Sequence, residues 1–271
     1  MLVAFQGEPG AYSEAAALKY APSSQVLPCP SFEEVFAAVA EGRATHGILP
    51  MENSIGGSIH RNYDLLVDHD LPIVGEVELR VDHCLLAMPG TRLADVKVVY
   101  SHPQALAQCE NALADMRGVE VVAVYDTAGA AKMVREGGRT DAAAVASRRA
   151  AEVFGLAVLR ESIQDFADNI TRFCVIAKEA PDAPDANKTS IVFALHSEPG
   201  ALFKALAGFA LRDINLTKLE SRPLRGKPWE YAFYVDVEVP RSHPGCQRAL
   251  ADLAEFSHWV RTLGSYRASK T

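Results

Sequence analysis

The sequence predicts an α/β chain of two parts: a two-lobed N-terminal domain built from strand–helix alternation, then a smaller α+β domain. Three observations predict it. Short apolar runs alternate with helical stretches from Leu2 to Leu159, and polar helix caps follow several of them, the pattern of parallel βαβ units. The stretch Glu179 to Asn187 is poor in apolar residues and carries two prolines, which marks a linker. Beyond it the order of elements reads strand, helix, strand, strand, helix, strand, the βαββαβ ferredoxin-like motif. At 271 residues the chain is long for one core and comfortable for two domains of roughly 100 to 200 residues each.

Leu2 to Phe5 reads as a strand, and Gln6 to Glu14 as a glycine-bearing turn before a helix over Ala15 to Tyr20. Such a turn leaves backbone N–H groups free at a helix start, where an anion can sit, although the glycine spacing of dinucleotide sites is absent. Ser31 with Glu34 three residues on predicts a capped helix from Val35 to Glu41. A strand through Gly47 to Pro50 then runs into Glu52, Asn53 and Ser54, and Gly56-Gly57 lets the backbone approach a ligand there.

Tyr63 to Leu66 is expected to be helical, and Ile73 to Val77 and His83 to Met88 to be strands entering the second lobe. His83, among Cys84, Leu85 and Leu86, reads as a core histidine with satisfied nitrogens. Val96 to Tyr100 is a strand ending at Ser101-His102-Pro103-Gln104, with Ser101 as N-cap of a helix from Ala105 to Ala114. The same geometry aims hydroxyl, imidazole and amide groups at the helix start. The pattern repeats at Asp126 before a helix and at Ser147 after the strand Ala142 to Ala146. Asn169, Thr171, Arg172 and Phe173 then stand at the entrance of an apolar strand from Phe173 to Ala177, where α/β proteins place ligand-binding groups.

A net charge of −7, a pI near 5.6 and no basic patch exclude a general affinity for nucleic acid. No apolar run approaches the ~20 residues that span a bilayer, so no membrane partner is expected. The opening residues lack a basic n-region and a cleavage signal, which predicts a cytoplasmic protein. The cysteines at 29, 84, 109, 174 and 246 are scattered, so buried reduced thiols are expected, with no metal and no cofactor.

In order along the chain, the stretches Gly7 to Glu14, Glu52 to Leu66, Ser101 to Gln104, Asp126 to Ala131, Gln164 to Phe173, Pro199 to Leu202 and Asn215 to Pro223 resemble those of prephenate dehydratase, including its plant branch of arogenate dehydratases, with a C-terminal ACT regulatory domain. The resemblance implies a catalytic domain over 1–179 with a fold like that of periplasmic solute-binding proteins. Its lobe 1 covers about 1–79 plus 161–179 and its lobe 2 about 80–160. A linker follows at 180–187 and an ACT domain at 188–267.

It also implies that the family's Thr-Arg-Phe motif is matched by Thr171, Arg172 and Phe173, and its cleft-lining segments by Glu52, Asn53, Ser54, Ser101, His102, Gln104 and Asn169. Gly200, Ala201, Leu202, Asn215, Leu216, Glu220, Ser221, Arg222 and Pro223 match the segments associated with phenylalanine as feedback inhibitor. Ala11-Tyr12-Ser13 replaces the Thr-Phe-Ser of many bacterial members, as in the plant branch, so prephenate and arogenate both stand as substrates.

The expected reaction is the decarboxylating dehydration of prephenate to phenylpyruvate. Thr171 is expected near the leaving hydroxyl, with His102 or Glu52 as the ultimate proton source. Arg172 is assigned to the pyruvyl carboxylate, and Phe173 forms an apolar wall against the ring. A homodimer or homotetramer paired through ACT sheets is expected, with phenylalanine at the interface. A non-catalytic amino-acid sensor is the alternative from another class.

Overall fold

The structure, a computed structural model, describes residues 1–180, 183–224 and 226–269. Part of the expected linker, Pro181 and Asp182, lies outside the described residues, as does Arg225, the first residue of the turn before the third strand of the C-terminal motif. The chain forms two compact units. One comprises Met1–Ser58 with Glu78–Phe173, and the other Ile59–Val77 with the chain from Cys174 onward.

The first unit opens with β1 (Leu2–Gln6), α1 (Tyr12–Tyr20), β2 (Gln25–Cys29), α2 (Phe32–Ala40), β3 (His46–Asn53) and the short β4 (Gly57–Ser58). β1 lies parallel to both β2 and β3, as strand–helix–strand crossovers require. Val3, Ala4 and Phe5 of β1 and Val35, Phe36 and Val39 of α2 are fully buried. The Ser31 hydroxyl accepts the Glu34 N–H at 3.3 Å and starts α2, three residues ahead of the helix expected over 35–41.

After α3 (His60–Asp68), which belongs to the second unit, come β5 (Ile73–Arg80), β6 (Cys84–Ala87), β7 (Val98–Ser101), α4 (Pro103–Ala107), α5 (Glu110–Ala114), β8 (Glu120–Ala123), α6 (Thr127–Gly137), β9 (Ala142–Ala146), α7 (Arg148–Phe154), β10 (Ala157–Arg160) and β11 (Ile170–Ala177). The first sheet has the order β2-β1-β3-β11-β5, with β4 on β3. β5 and β11 run from one unit into the other.

The second sheet has the order β10-β6-β9-β7-β8. It is mixed, not parallel throughout as the alternation predicts. β7 runs parallel to β8 and β9, whereas β6 is antiparallel to β9 and β10 to β6. The antiparallel members are the strands by which the chain enters and leaves this sheet. β9 sits at its centre, with Ala142, Ala144 and Ala146 packed into the core on one face and Ala143 and Val145 into the core on the other. Small side chains on both faces of this strand let helices approach it closely.

The helix expected over 105–114 is interrupted. Cys109 leaves helical geometry, at φ −122° and ψ 24°, and the Gln108 carbonyl accepts the Asp165 N–H at 2.7 Å in place of a helical partner. Gln108 is thereby turned inward. The cap of α4 is His102, whose Nδ1 accepts the Gln104 N–H at 3.2 Å. Ser101, expected in that role, is the last residue of β7, and its hydroxyl donates to the Val145 carbonyl.

The second unit contains β12 (Lys188–Leu195), α8 (Ala201–Ala210), β13 (Leu216–Pro223), β14 (Tyr231–Val237), α9 (Pro244–Glu255) and β15 (Ser257–Tyr266). All three pairings in the order β13-β14-β12-β15 are antiparallel, the ferredoxin-like arrangement. Phe193, Phe209, Val235 and Leu253 share its core. Arg222 of β13 makes a two-pronged contact with Asp64 of α3, at 3.0 and 3.1 Å, and the Tyr234 hydroxyl donates to the Tyr63 carbonyl. No helix among the described residues is long and apolar enough to cross a membrane.

Candidate active site

β11 begins at Ile170, so Thr171, Arg172 and Phe173 lie inside the strand and not at its entrance. Successive residues of a strand face opposite sides. Thr171 and Phe173 therefore share one face and Arg172 takes the other, which corrects the expectation of three groups acting side by side on one ligand. Phe173 is 1% exposed and packs as core, so it offers no open wall. Arg172 reaches Glu52 of β3, Nη2 to Oε2 at 3.4 Å, while the neighbouring Asn53 is on the Thr171 side.

Asn53 is the centre of the polar cluster. Its Oδ1 accepts the backbone N–H groups of Ile55 and Gly56, at 3.1 and 2.7 Å. Its Nδ2 donates to Asn169 Oδ1 at 2.7 Å and to Thr171 Oγ1 at 3.0 Å. Because Thr171 Oγ1 receives that proton, its own O–H is directed elsewhere, and the donated bond polarises the hydroxyl. Ser54 fixes the adjoining backbone, its Oγ accepting the Ile170 N–H at 2.9 Å and donating to the Asp168 carbonyl at 2.7 Å.

Gln104, at the start of α4, lies against Gly56. A Cβ at position 56 would collide with the Gln104 amide, so glycine is what permits this approach. His102 and Ser101 flank it as the cap and the buried strand end described above. The turn after β1 makes other contacts: the Ser147 hydroxyl, ahead of α7, donates to the Gly10 carbonyl at 2.6 Å, and Lys132 of α6 pairs with Glu8 at 3.2 Å. Gly10 itself, at φ +92°, could not carry a side chain, because a Cβ would stand 2.7 Å from the Ala150 Cα.

Three participants, Gln108, His83 and Tyr12, were not among the expected site residues. Gln108 Oε1 accepts from Asn169 Nδ2 at 2.9 Å, and the same oxygen lies 2.9 Å from His83 Nε2. The signal available for Gln108 was its spacing of four from Gln104, which one turn of helix would bring to the same face. His83, expected as a core histidine, is 2% exposed with a polar neighbour on each ring nitrogen. Its Nδ1 is 2.9 Å from the Tyr12 hydroxyl, which also lies 2.7 Å from the Asp82 carbonyl oxygen. Burial holds the His83 pKa below the ordinary histidine value, opposed by the Gln108 hydrogen bond and the charge of Asp82. The five cysteines are buried free thiols, and burial pushes Cys109 up to about 12.

The residues expected to bind an effector fall into two groups. Gly200, Ala201 and Leu202 line a cavity of about 350 Å³ with His196, Glu198 and Phe233. Asn215, Leu216, Glu220, Ser221, Arg222 and Pro223 are not part of that lining. Except for Asn215, which bonds Glu238, they lie on β13, where Glu220 pairs with His60 and Arg222 with Asp64.

The sequence profile of the family described as prephenate dehydratase matches residues 3–181. An Arabidopsis thaliana protein named arogenate dehydratase/prephenate dehydratase 2, chloroplastic, is 52% identical over 281 residues, covering 99% of this chain and 73% of that protein. Among solved structures, the Arthrobacter aurescens prephenate dehydratase in complex with L-Phe is 31% identical, with a TM-score of 0.90 over 98% of this chain and 90% of that one. A protein called GqqA, described as a novel type of quorum quenching acylase, is 42% identical, with a TM-score of 0.92 over 99% of this chain and 98% of that one.

Proposed function

The chain belongs to the prephenate dehydratase family, and we propose that the cluster around Thr171 is where it removes carbon dioxide and water from its substrate. As a member of that family it is a lyase of phenylalanine biosynthesis, converting prephenate to phenylpyruvate. Arogenate, which would give phenylalanine directly, is the second substrate reading. It is supported by the names of the plant relatives and by Tyr12, part of the stretch shared with their branch.

The observation that carries the site proposal is the bond from Asn53 Nδ2 to Thr171 Oγ1. Loss of hydroxide from the ring needs a donor at the departing oxygen, and Thr171 has its proton available for that purpose. An aliphatic alcohol is too weak an acid to supply the proton unaided, so Thr171 donates a hydrogen bond or relays. Of the two expected proton sources, Glu52 is engaged with Arg172 on the opposite face of the strands, which leaves His102. Its Nδ1 accepts the Gln104 N–H, so the ring is neutral with its proton on Nε2, and it serves as a hydrogen-bond donor and relay through which a proton from solvent reaches Thr171. Gln104, Asn169 and Ser54 complete the cluster. Arg172 with Glu52 ties β11 to β3, and Phe173 supports Thr171 from the core.

Residues 1–179 act as the catalytic domain and 188–267 as an ACT domain that binds phenylalanine. The cavity at Gly200 to Leu202 is one half of the effector site, and the β13 segment of a second copy supplies the rest, in a homodimer or homotetramer. Phenylalanine would then shift the enzyme between two states, with a coupling on the order of 1–3 kcal/mol. A cytoplasmic location belongs to this reading; the Arabidopsis relative is named chloroplastic.

One assay tests the reading: purified protein given prephenate or arogenate, with and without L-phenylalanine, following phenylpyruvate and phenylalanine. Turnover of neither substrate sinks the dehydratase assignment and leaves the sensor. Acylase activity is a third arm because of the 42% identical neighbour. The cluster pairs Thr171 with an amide and not with a base, so little acyl transfer is expected.

A further inference from the structure

Thr171 is the last member of a buried polar chain that runs Tyr12, His83, Gln108, Asn169, Asn53, Thr171, and the direction of every hydrogen bond from Thr171 back to His83 follows from one fixed end. That end is backbone. The N–H groups of Ile55 and Gly56 cannot be turned round, so the atom of Asn53 they meet must be oxygen. Its nitrogen then faces Asn169 and Thr171, and the atom of Asn169 it meets must also be oxygen. Asn169 presents its nitrogen to Gln108, whose oxygen accepts it. The same Gln108 oxygen stands 2.9 Å from His83 Nε2, and two acceptors at that distance would repel. His83 must therefore carry a proton on Nε2.

We infer that His83 is a positioning residue for the dehydration step, its Nε2–H holding Gln108 and Asn169 in the one orientation that the Asn53 amide, itself set by backbone N–H groups, accepts beside Thr171. The alternative tautomer would leave Gln108 facing a bare nitrogen. Gln108 would have to invert, which would set its nitrogen against that of Asn169, and inverting Asn169 in turn would oppose two nitrogens at Asn53. No water can absorb the mismatch easily, because His83, Gln108, Asn169, Asn53 and Thr171 are all buried. Tyr12 closes the outer end. Its hydroxyl has one proton and two acceptors within reach when His83 is neutral, Nδ1 and the Asp82 carbonyl, so that end tolerates either choice while the Nε2 end does not.

The inference rests on the dehydratase reading, and two measurements keep the two apart. The first is the ring-nitrogen resonance of His83 in the wild-type protein, which needs no turnover. A protonated Nε2 is expected, and a bare Nε2 with a protonated Nδ1 would overturn the inference whatever the enzyme's activity. The second is kinetics on prephenate. His83→Phe, which removes the donor, should lower kcat about tenfold with KM changed less than about twofold. His83→Gln, whose amide can again donate to Gln108, should recover much of that loss. Wild-type kcat in His83→Phe, or equal losses in both variants that follow thermal stability, would reduce His83 to packing. Should His83→Phe fail to fold, the resonance decides alone. Absence of wild-type turnover would sink the dehydratase reading without touching the tautomer.

Discussion

Asn53 and Thr171, 118 positions apart, meet through a 3.0 Å hydrogen bond in which the asparagine amide donates to the threonine hydroxyl oxygen. The bond uses the threonine oxygen as an acceptor and so directs its own O–H away from Asn53. It also makes the hydroxyl a better donor than a free alcohol, because a group that accepts a hydrogen bond is polarised toward giving one.

Thr171→Ala should lower kcat by about 10²–10³-fold with little change in KM, the size of effect seen when one donor to a developing negative charge is removed. Thr171→Ser, which keeps the hydroxyl, should retain most activity. Steady-state kinetics check both, and wild-type turnover by the alanine variant would remove Thr171 from the mechanism.

Gly56→Ala should displace Gln104 and cut kcat/KM about tenfold while leaving thermal stability nearly unchanged, since the colliding atom is the mobile end of a side chain. Adding Gln104→Ala should make the Gly56 substitution silent. If the two losses add fully, the glycine matters for some reason other than this approach.

Arg172→Lys should lower the unfolding midpoint but leave KM for prephenate within about twofold, because the guanidinium joins Glu52 on the face away from Thr171. A large rise in KM at unchanged stability would restore Arg172 as a carboxylate anchor.

Lys188 and Glu76 form a buried pair, Nζ 2.8 Å from both carboxylate oxygens, with the Glu76 side chain 1% exposed. Lys188→Met removes the ammonium from that carboxylate, which keeps the Ser269 N–H at 3.2 Å, and should cost about 3–5 kcal/mol in denaturant unfolding. Replacing Glu76 by Leu as well should recover much of the loss, and a single-variant cost under about 1 kcal/mol would mean the pair is not desolvated.

His83 gives a pH dependence of known sign. Burial lowers its folded pKa, against the opposing effects of Gln108 and Asp82, so below the ordinary value of about 6.5 the unfolded chain binds a proton that the folded one refuses. Its contribution to stability is complete above about pH 6.5 and is lost as the pH falls toward the lowered folded value. Unfolding free energies measured from pH 5 to 8 should fall more steeply with acid in the wild type than in His83→Gln. Equal slopes would place the titration elsewhere.

Local chemistry alone determined much of this protein. Apolar periodicity marked the positions of most strands and helices, the side chains of Ser31, Asp126 and Ser147 cap the helices they precede, and the βαββαβ order of the C-terminal unit is legible because each element is set by residues a few positions apart. The family motifs were legible for the same reason. Tertiary structure decided what those residues do. The start of β11 at Ile170 put Thr171 and Arg172 on opposite faces, the Asp165 backbone broke a helix and turned Gln108 inward, and His102 took the cap expected of Ser101. Each of these rests on a partner far away in sequence or on the pairing of whole strands, and spacing within one segment offered only the shared helix face of Gln104 and Gln108. The chain from His83 to Thr171 is the clearest case: the Asn53 amide is oriented locally by the N–H groups of Ile55 and Gly56, but Asn169, 116 positions away, and then Gln108 and His83 are lined up with it only by folding.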